Sequence, residues 1–170
     1  GEYSDCKDAS IVVVAAGVSQ KPGESRPDLL TRNTAVVKSI IGPIVDSGFD
    51  GLFLIATNPV DIMTQVTQRL SGFPPEKVFG SGTTLDTARL RYLLGDYFKV
   101  DPRNVHAYVM GEHGETEFVA WSQAMLATKP ISEVCAECDK DCDGENLEKI
   151  GREVKDAAQV IINAKNATYY

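Results

Sequence analysis

Residues 10–16, Ser-Ile-Val-Val-Val-Ala-Ala, form a continuous apolar run dominated by β-branched side chains, and the run stops at Gly17. A strand with one wet face alternates apolar and polar residues. A run without alternation fits a strand buried on both faces, as in a parallel sheet. Residues 51–57, Gly-Leu-Phe-Leu-Ile-Ala-Thr, repeat the pattern and stop at Asn58-Pro59. Between the two lie a polar stretch, residues 18–28, and an amphipathic stretch, residues 29–45. Strand, crossover helix and strand make a βαβ unit. A further helical stretch at 61–70 leads to a short third strand at 77–80, so residues 10–82 read as parallel α/β. Ligands of such sheets bind beyond the carboxyl ends of the strands. Gly17 and Asn58 stand at two of those ends.

The pattern then changes. Residues 84–98 are helical, with Leu85, Leu90, Leu93, Leu94 and Phe98 apolar, and Asp101-Pro102-Arg103-Asn104 breaks the helix. Residues 105–110 and 116–122 read as two strands joined by a turn, and 123–146 as an irregular acidic segment. Leu147, Ile150, Val154, Ala157, Ala158 and Ile161 recur at helical spacing and predict a long amphipathic helix.

The turn between those two strands is the chemically pointed part of the chain. Its sequence, Gly111-Glu112-His113-Gly114-Glu115-Thr116-Glu117, sets an imidazole between two glycines and among carboxylates. Glycines on both sides let a ligand approach the ring, and histidine exchanges a proton near neutral pH. A hydrogen-bonded turn histidine is the plain alternative. On the helix at 84–98, Asp86 and Arg89 are three residues apart and share a face. They form either a simple ion pair or a set with divided roles, one orienting a histidine and the other binding a carboxylate. Arg91 points to the other side of that helix. The polar loop 18–27 has the length of a lid.

Composition removes several classes. With 17 Lys and Arg against 24 Asp and Glu, the net charge is −7 and there is no basic cluster, so no nucleic-acid partner is expected. No apolar run spans a bilayer and no signal peptide is evident. The expectation is a cytoplasmic protein with no membrane contact. Cys135, Cys138 and Cys142 have a spacing that suggests a metal clip, but a fourth nearby ligand is lacking. Reduced thiols on an acidic loop, with Cys6 elsewhere, are the preferred reading, and no metal is expected.

Four motifs in order, Gln20-Lys21-Pro22-Gly23-Glu24-Ser25-Arg26, Asn58-Pro59-Val60-Asp61, Leu85-Asp86-Thr87-Ala88-Arg89 and Gly111-Glu112-His113-Gly114, resemble the L-lactate dehydrogenases, which share their fold with the malate dehydrogenases. The resemblance runs over essentially the whole chain. It implies an NAD-dependent enzyme that reversibly transfers a hydride between NADH and pyruvate to give L-lactate. His113 would exchange a proton with the keto oxygen, Asp86 would orient the imidazole, and Arg89 would fork onto the substrate carboxylate. Arg26 would polarise the carbonyl as a lid closes. Asn58 would bond near the carbonyl and the nicotinamide, and Gly17 would let the chain pass close to the cofactor. Gln20 would face the substrate's variable group, where the malate enzymes carry arginine, and Thr168 would line the same end. Arg91 and His106 match positions that bind fructose 1,6-bisphosphate in activated bacterial enzymes, which implies a homotetramer with an allosteric site between subunits.

Some positions depart from the family pattern. Pro27 follows Arg26 and reads as a helix start. Asn166 stands where glycine is common, which weakens the Thr168 assignment. The glycine-rich fingerprint G-x-G-x-x-G of a dinucleotide site is missing. The expectation is therefore the second half of a Rossmann-type parallel sheet (1–82) followed by the start of an α+β substrate domain (83–170), the central fragment of a longer enzyme. Alone, it would be inactive, with Val12 and Val14 poorly covered at an open sheet edge. The alternatives are a malate or other 2-hydroxyacid dehydrogenase, and a non-catalytic binding module that keeps the pocket.

Overall fold

The computed structural model describes residues 1–18, 26–137 and 144–165, with Arg26 and Pro27 described by their backbone alone. The chain divides into two compact units, Gly1–Gly82 and Thr83–Tyr170.

In the first unit the strands β1 (Ile11–Val14), β2 (Leu52–Ile55) and β3 (Val78–Gly80) alternate with the helices α1 (Arg26–Asp46) and α2 (Val60–Ser71). The strands form a parallel sheet in the order β1-β2-β3, as a βαβαβ sequence requires. Helix α1 begins at Arg26 with Pro27 second, where a missing N–H and a fixed φ cost nothing. The register places Val12 beside Phe53 and Phe53 beside Val78, with Val14 beside Ile55. This face packs on Val37, Ile41 and Ile44 of α1 and Met63 of α2. Phe49, Phe53 and Phe73 close one end, their ring centroids 4.9–6.0 Å apart.

The strands are not buried on both faces. Successive side chains in a strand point to opposite faces, and both helices of this unit pack on one of them. On the other face the register aligns Val13, Leu54 and Phe79. There Ile11, Val13 and Phe79 are 52%, 58% and 41% exposed. The expected exposure of Val12 and Val14 is thus corrected: Val14 is buried and Val12 packs against the core, while their odd-numbered neighbours face outward.

The second unit contains α3 (Thr84–Phe98), the short strands β4 (Val105–His106), β5 (Val109–Met110), β6 (Phe118–Val119), β7 (Met125–Leu126) and β8 (Lys129–Pro130), and the helices α4 (Ile131–Glu137) and α5 (Gly144–Lys165). Strands β5 and β6 pair antiparallel, and β4, β7 and β8 form a second antiparallel sheet. Leu90 and Leu94 of α3, Val105, Ala107 and Val109 of the strand region, and Ile150 and Val154 of α5 share one buried core. The predicted strand 105–110 is two strands in different sheets, and the predicted strand 116–122 is only β6 followed by a 3₁₀ turn, Trp121–Gln123. The segment expected to be irregular holds β7, β8 and α4. Its hairpin turns at Ala127-Thr128, with Ala127 at φ 51°, and carries none of the Asn or Gly residues that announce such turns.

Candidate active site

In the first unit, Asn33 of α1 fixes the carboxyl end of the sheet. Its side chain is buried, accepts from the Val18 N–H at 2.8 Å and donates to the Asn58 carbonyl at 3.2 Å. One amide thus joins the segments leaving β1 and β2. The Thr57 hydroxyl adds a bond to the Ala16 carbonyl at 2.8 Å. Gly17 and Asn58 are exposed there, and Asn58-Pro59 is a cis peptide. A Cβ on Gly17 would lie 2.8 Å from the Thr57 methyl, so the fold itself requires glycine at this position.

In the second unit, hydroxyls bind α3 to β5. The Ala120 N–H donates to the Tyr108 carbonyl. At the next residue, Val109, the backbone groups therefore turn away from β6. Two threonines meet them: Thr83, the residue just before α3, donates through Oγ1 to the Val109 carbonyl at 2.7 Å, and Thr87 of α3 accepts at Oγ1 from the Val109 N–H at 3.0 Å. Asp86 precedes Thr87, and His113 lies one turn beyond β5. The threonine bonds thus set the two side chains opposite each other.

His113 Nδ1 lies 2.6 Å from Asp86 Oδ2. Asp86 is 2% exposed. A carboxylate accepts, so Nδ1 carries the proton and Nε2 is left as the nitrogen that can trade one. The other Asp86 oxygen is 3.4 Å from Arg89 Nη1, at the outer limit of a hydrogen bond. Asp86 and Arg89 therefore share a face as the sequence predicts. Asp86 meets both an arginine and a histidine, one carboxylate oxygen serving each partner. Gly111 and Gly114 flank the turn at φ 96° and 140°. These are conformations that side chains with a Cβ rarely adopt, so the two glycines set the backbone of the turn as well as its openness.

Glu117, four residues after His113, has no role in the sequence reading. It is 7% exposed, and its Oε2 stands 3.8 Å from His113 Nδ1 and accepts from the Gly114 N–H at 3.3 Å. Burial, then the charge of Asp86, pushes its carboxyl above the usual range. The signal in the sequence was a third carboxylate in the turn, which spacing alone does not distinguish from solvated Glu112 and Glu115. Asp86, His113 and Glu117 place ligand atoms within 4.8 Å of one another. The 2.6 Å contact between two of them is a hydrogen bond and leaves no room for an ion between them.

On the far side of α3, Arg91 Nε donates to the Ala107 carbonyl at 3.2 Å and its guanidinium covers the Tyr108 ring at 4.9 Å. His106 is exposed and precedes Ala107, while Val105 and Ala107 are buried. Gln20, Thr168, Asn166, Cys138, Cys142 and the side chain of Arg26 lie outside the described residues.

A parallel βαβαβ unit followed by a unit bearing a buried aspartate bonded to a partly exposed histidine, with an adjacent arginine, defines a dehydrogenase-like α/β protein. The NAD binding domain of lactate/malate dehydrogenase matches residues 1–80, and the α/β C-terminal domain of the same family matches residues 83–170. The chain belongs to the lactate/malate dehydrogenase family. It is 57% identical over 170 residues to L-lactate dehydrogenase 2 of Bacillus cereus and 54% identical to L-lactate dehydrogenase 1 of the same species. All of this chain and 54% of each relative is covered, so the chain spans about half the length of the curated relatives it matches. Among solved structures, it is similar to a lactate dehydrogenase from a Medee basin deep-sea metagenome library, with TM-score 0.95 and 51% identity. It is also similar to the ligand-bound minor L-lactate dehydrogenase of Enterococcus mundtii, with TM-score 0.94 and 46% identity. Both comparisons cover 100% of this chain and 54% of the other.

Proposed function

We propose that the protein containing this chain is an NAD-dependent L-lactate dehydrogenase that interconverts pyruvate and L-lactate. The observation that carries the reading is the 2.6 Å contact between His113 Nδ1 and the buried Asp86 carboxylate, with Arg89 beside it on the same helix face.

The residues present fit the nicotinamide end of a dinucleotide. Exposed Gly17 and Asn58 stand at adjacent strand ends, held in place by Asn33. When bound, NADH supplies the hydride. His113 delivers the proton from Nε2 to the substrate oxygen, and Asp86 fixes the ring and balances its charged form. Arg89 binds the substrate carboxylate. Its contact with Asp86 is long enough to leave the guanidinium fork for a bidentate partner. Arg26 polarises the carbonyl and excludes water, Asn58 bonds near the carbonyl, and Gln20 and Thr168 border the methyl end. These assignments follow the family motifs.

On the same basis the enzyme is a cytoplasmic homotetramer, and Arg91 and His106 receive a phosphate of fructose 1,6-bisphosphate. The support is a guanidinium held against Tyr108, one residue from Ala107, with an exposed imidazole at the preceding position. The division at residue 82 reads as the boundary between the NAD-binding and substrate domains.

NADH oxidation by the native gene product with pyruvate and with oxaloacetate tests the reading. Pyruvate is the expected better substrate, and His113→Gln removes turnover. Higher kcat/KM with oxaloacetate would replace it with a malate dehydrogenase reading, and no turnover with either would reject the enzyme reading.

A further inference from the structure

Among the described residues, Glu117 is the one buried acid near the candidate site that the proposed reaction does not use. Its Oε2 lies 3.8 Å from His113 Nδ1, the nitrogen that also meets Asp86, and accepts from the Gly114 N–H. A carboxylate that took only a structural hydrogen bond would be replaceable by an amide, and burying it as an acid costs free energy. The fold nevertheless keeps two buried carboxylates against one imidazole. Among the described residues, Arg89 lies 3.4 Å from Asp86, and Lys155 of α5 stands close by, its Nζ donating to the Glu115 carbonyl at 2.9 Å. Glu148, Arg152 and Lys155 of α5 face Glu117 across a cavity of about 200 Å³ that also borders Trp121.

We propose that Glu117 is a positioning residue for His113, holding the turn through Gly114 and supplying a second negative charge that sustains the imidazolium. The proposal rests on the reading of His113 as the proton donor. Two carboxylates on one side of the ring favour the charged form over the neutral one. Their mutual repulsion is relieved when His113 is protonated, which agrees with the upward push on the Glu117 carboxyl from Asp86 and the downward pull from His113. The pair of acids therefore works as a charge reservoir. When the imidazole gives up its proton, the repulsion returns and favours reprotonation from solvent.

The test is an NMR titration of the imidazole resonances in the intact protein, with the His113 resonance assigned as the one that His113→Gln removes. At a separation near 4 Å, even with screening as strong as in bulk water, Glu117→Gln lowers the His113 midpoint by about 0.7 pH unit or more. Glu117→Asp restores at least part of it. The high-pH limb of pyruvate reduction moves to lower pH in parallel. An unchanged midpoint in folded Glu117→Gln overturns the proposal, as does a midpoint that Asp fails to restore. If the amide variant does not fold, Glu117→Ala, which removes the charge without leaving an unpaired side-chain donor, carries the same titration. Because the midpoint is read without turnover, the positioning role and the lactate dehydrogenase reading fail separately. A shifted midpoint with no pyruvate activity keeps the first and rejects the second.

Discussion

Thr87→Val isolates the bond that sets Asp86 opposite His113. Valine keeps the branched shape and removes only the hydroxyl. The Val109 carbonyl retains its shorter bond from Thr83 at 2.7 Å, so losing the 3.4 Å contact from Thr87 matters little. The Val109 N–H is different. It turns away from β6, Val109 is 4% exposed, and its N–H donates to Thr87 Oγ1 at 3.0 Å. An orphaned buried donor costs about 1–3 kcal/mol. Guanidinium unfolding followed by Trp121 fluorescence reads this directly. It is the single tryptophan and packs on the core of the second unit. Thr87→Ser keeps the hydroxyl and forfeits only a half-buried methyl, about 1 kcal/mol or less. Valine is therefore expected to cost more than serine. If valine costs less than about 0.5 kcal/mol, which is the scatter of ordinary surface substitutions, the threonine bonds do not set this geometry.

The other expectations use different observables. Gln20→Arg should shift the kcat/KM ratio from pyruvate towards oxaloacetate, and an unchanged ratio rejects Gln20 as the specificity residue. The double variant Arg91→Gln, His106→Gln should lose activation by fructose 1,6-bisphosphate, read at low and at saturating pyruvate; full activation retained rejects the site. In the unaltered enzyme, activation should weaken as pH rises and His106 loses its charge. The Glu117 carboxyl lies above its ordinary value of 4.5, so the fold is more stable with it protonated than with it ionised, relative to the unfolded chain. That stabilisation is complete below about pH 4.5 and is lost as pH rises through the folded value. Thermal melts should therefore show Glu117→Gln gaining on the wild type as pH rises, with the gap closing in acid; a constant gap rejects the assignment. Calorimetry of residues 1–170 with NADH should show weak binding, because no G-x-G-x-x-G turn is present to receive the pyrophosphate. Micromolar affinity would mean another segment supplies that site.

The legible parts of this chain were those where pattern and chemistry coincide. The apolar runs ending at Gly17 and Asn58 announced parallel strands. The spacing of Asp86 and Arg89 put them on one face, and the turn glycines exposed His113. Periodicity said where strands lie but not which face a helix would cover, so the outward side of β1 was misread. The residues that hold the site together were not legible. Asn33, Thr83 and Thr87 bond to backbone groups 15–26 residues away in sequence, and nothing local distinguishes them from any polar residue on a helix. Glu117 was visible as a carboxylate, but its burial comes from the packing of the second unit.

The uncovered row Ile11, Val13 and Phe79 has a consequence for how the chain behaves in solution. Its net charge of −7 holds copies apart by a repulsion that reaches about 10 Å at 0.1 M salt and about 3 Å at 1 M. The apolar row attracts only at contact, and added salt leaves that attraction intact. Colloidal stability is therefore set by ionic strength, and this chain should stay dispersed in dilute buffer and self-associate as salt rises, the reverse of a protein held together by ion pairs.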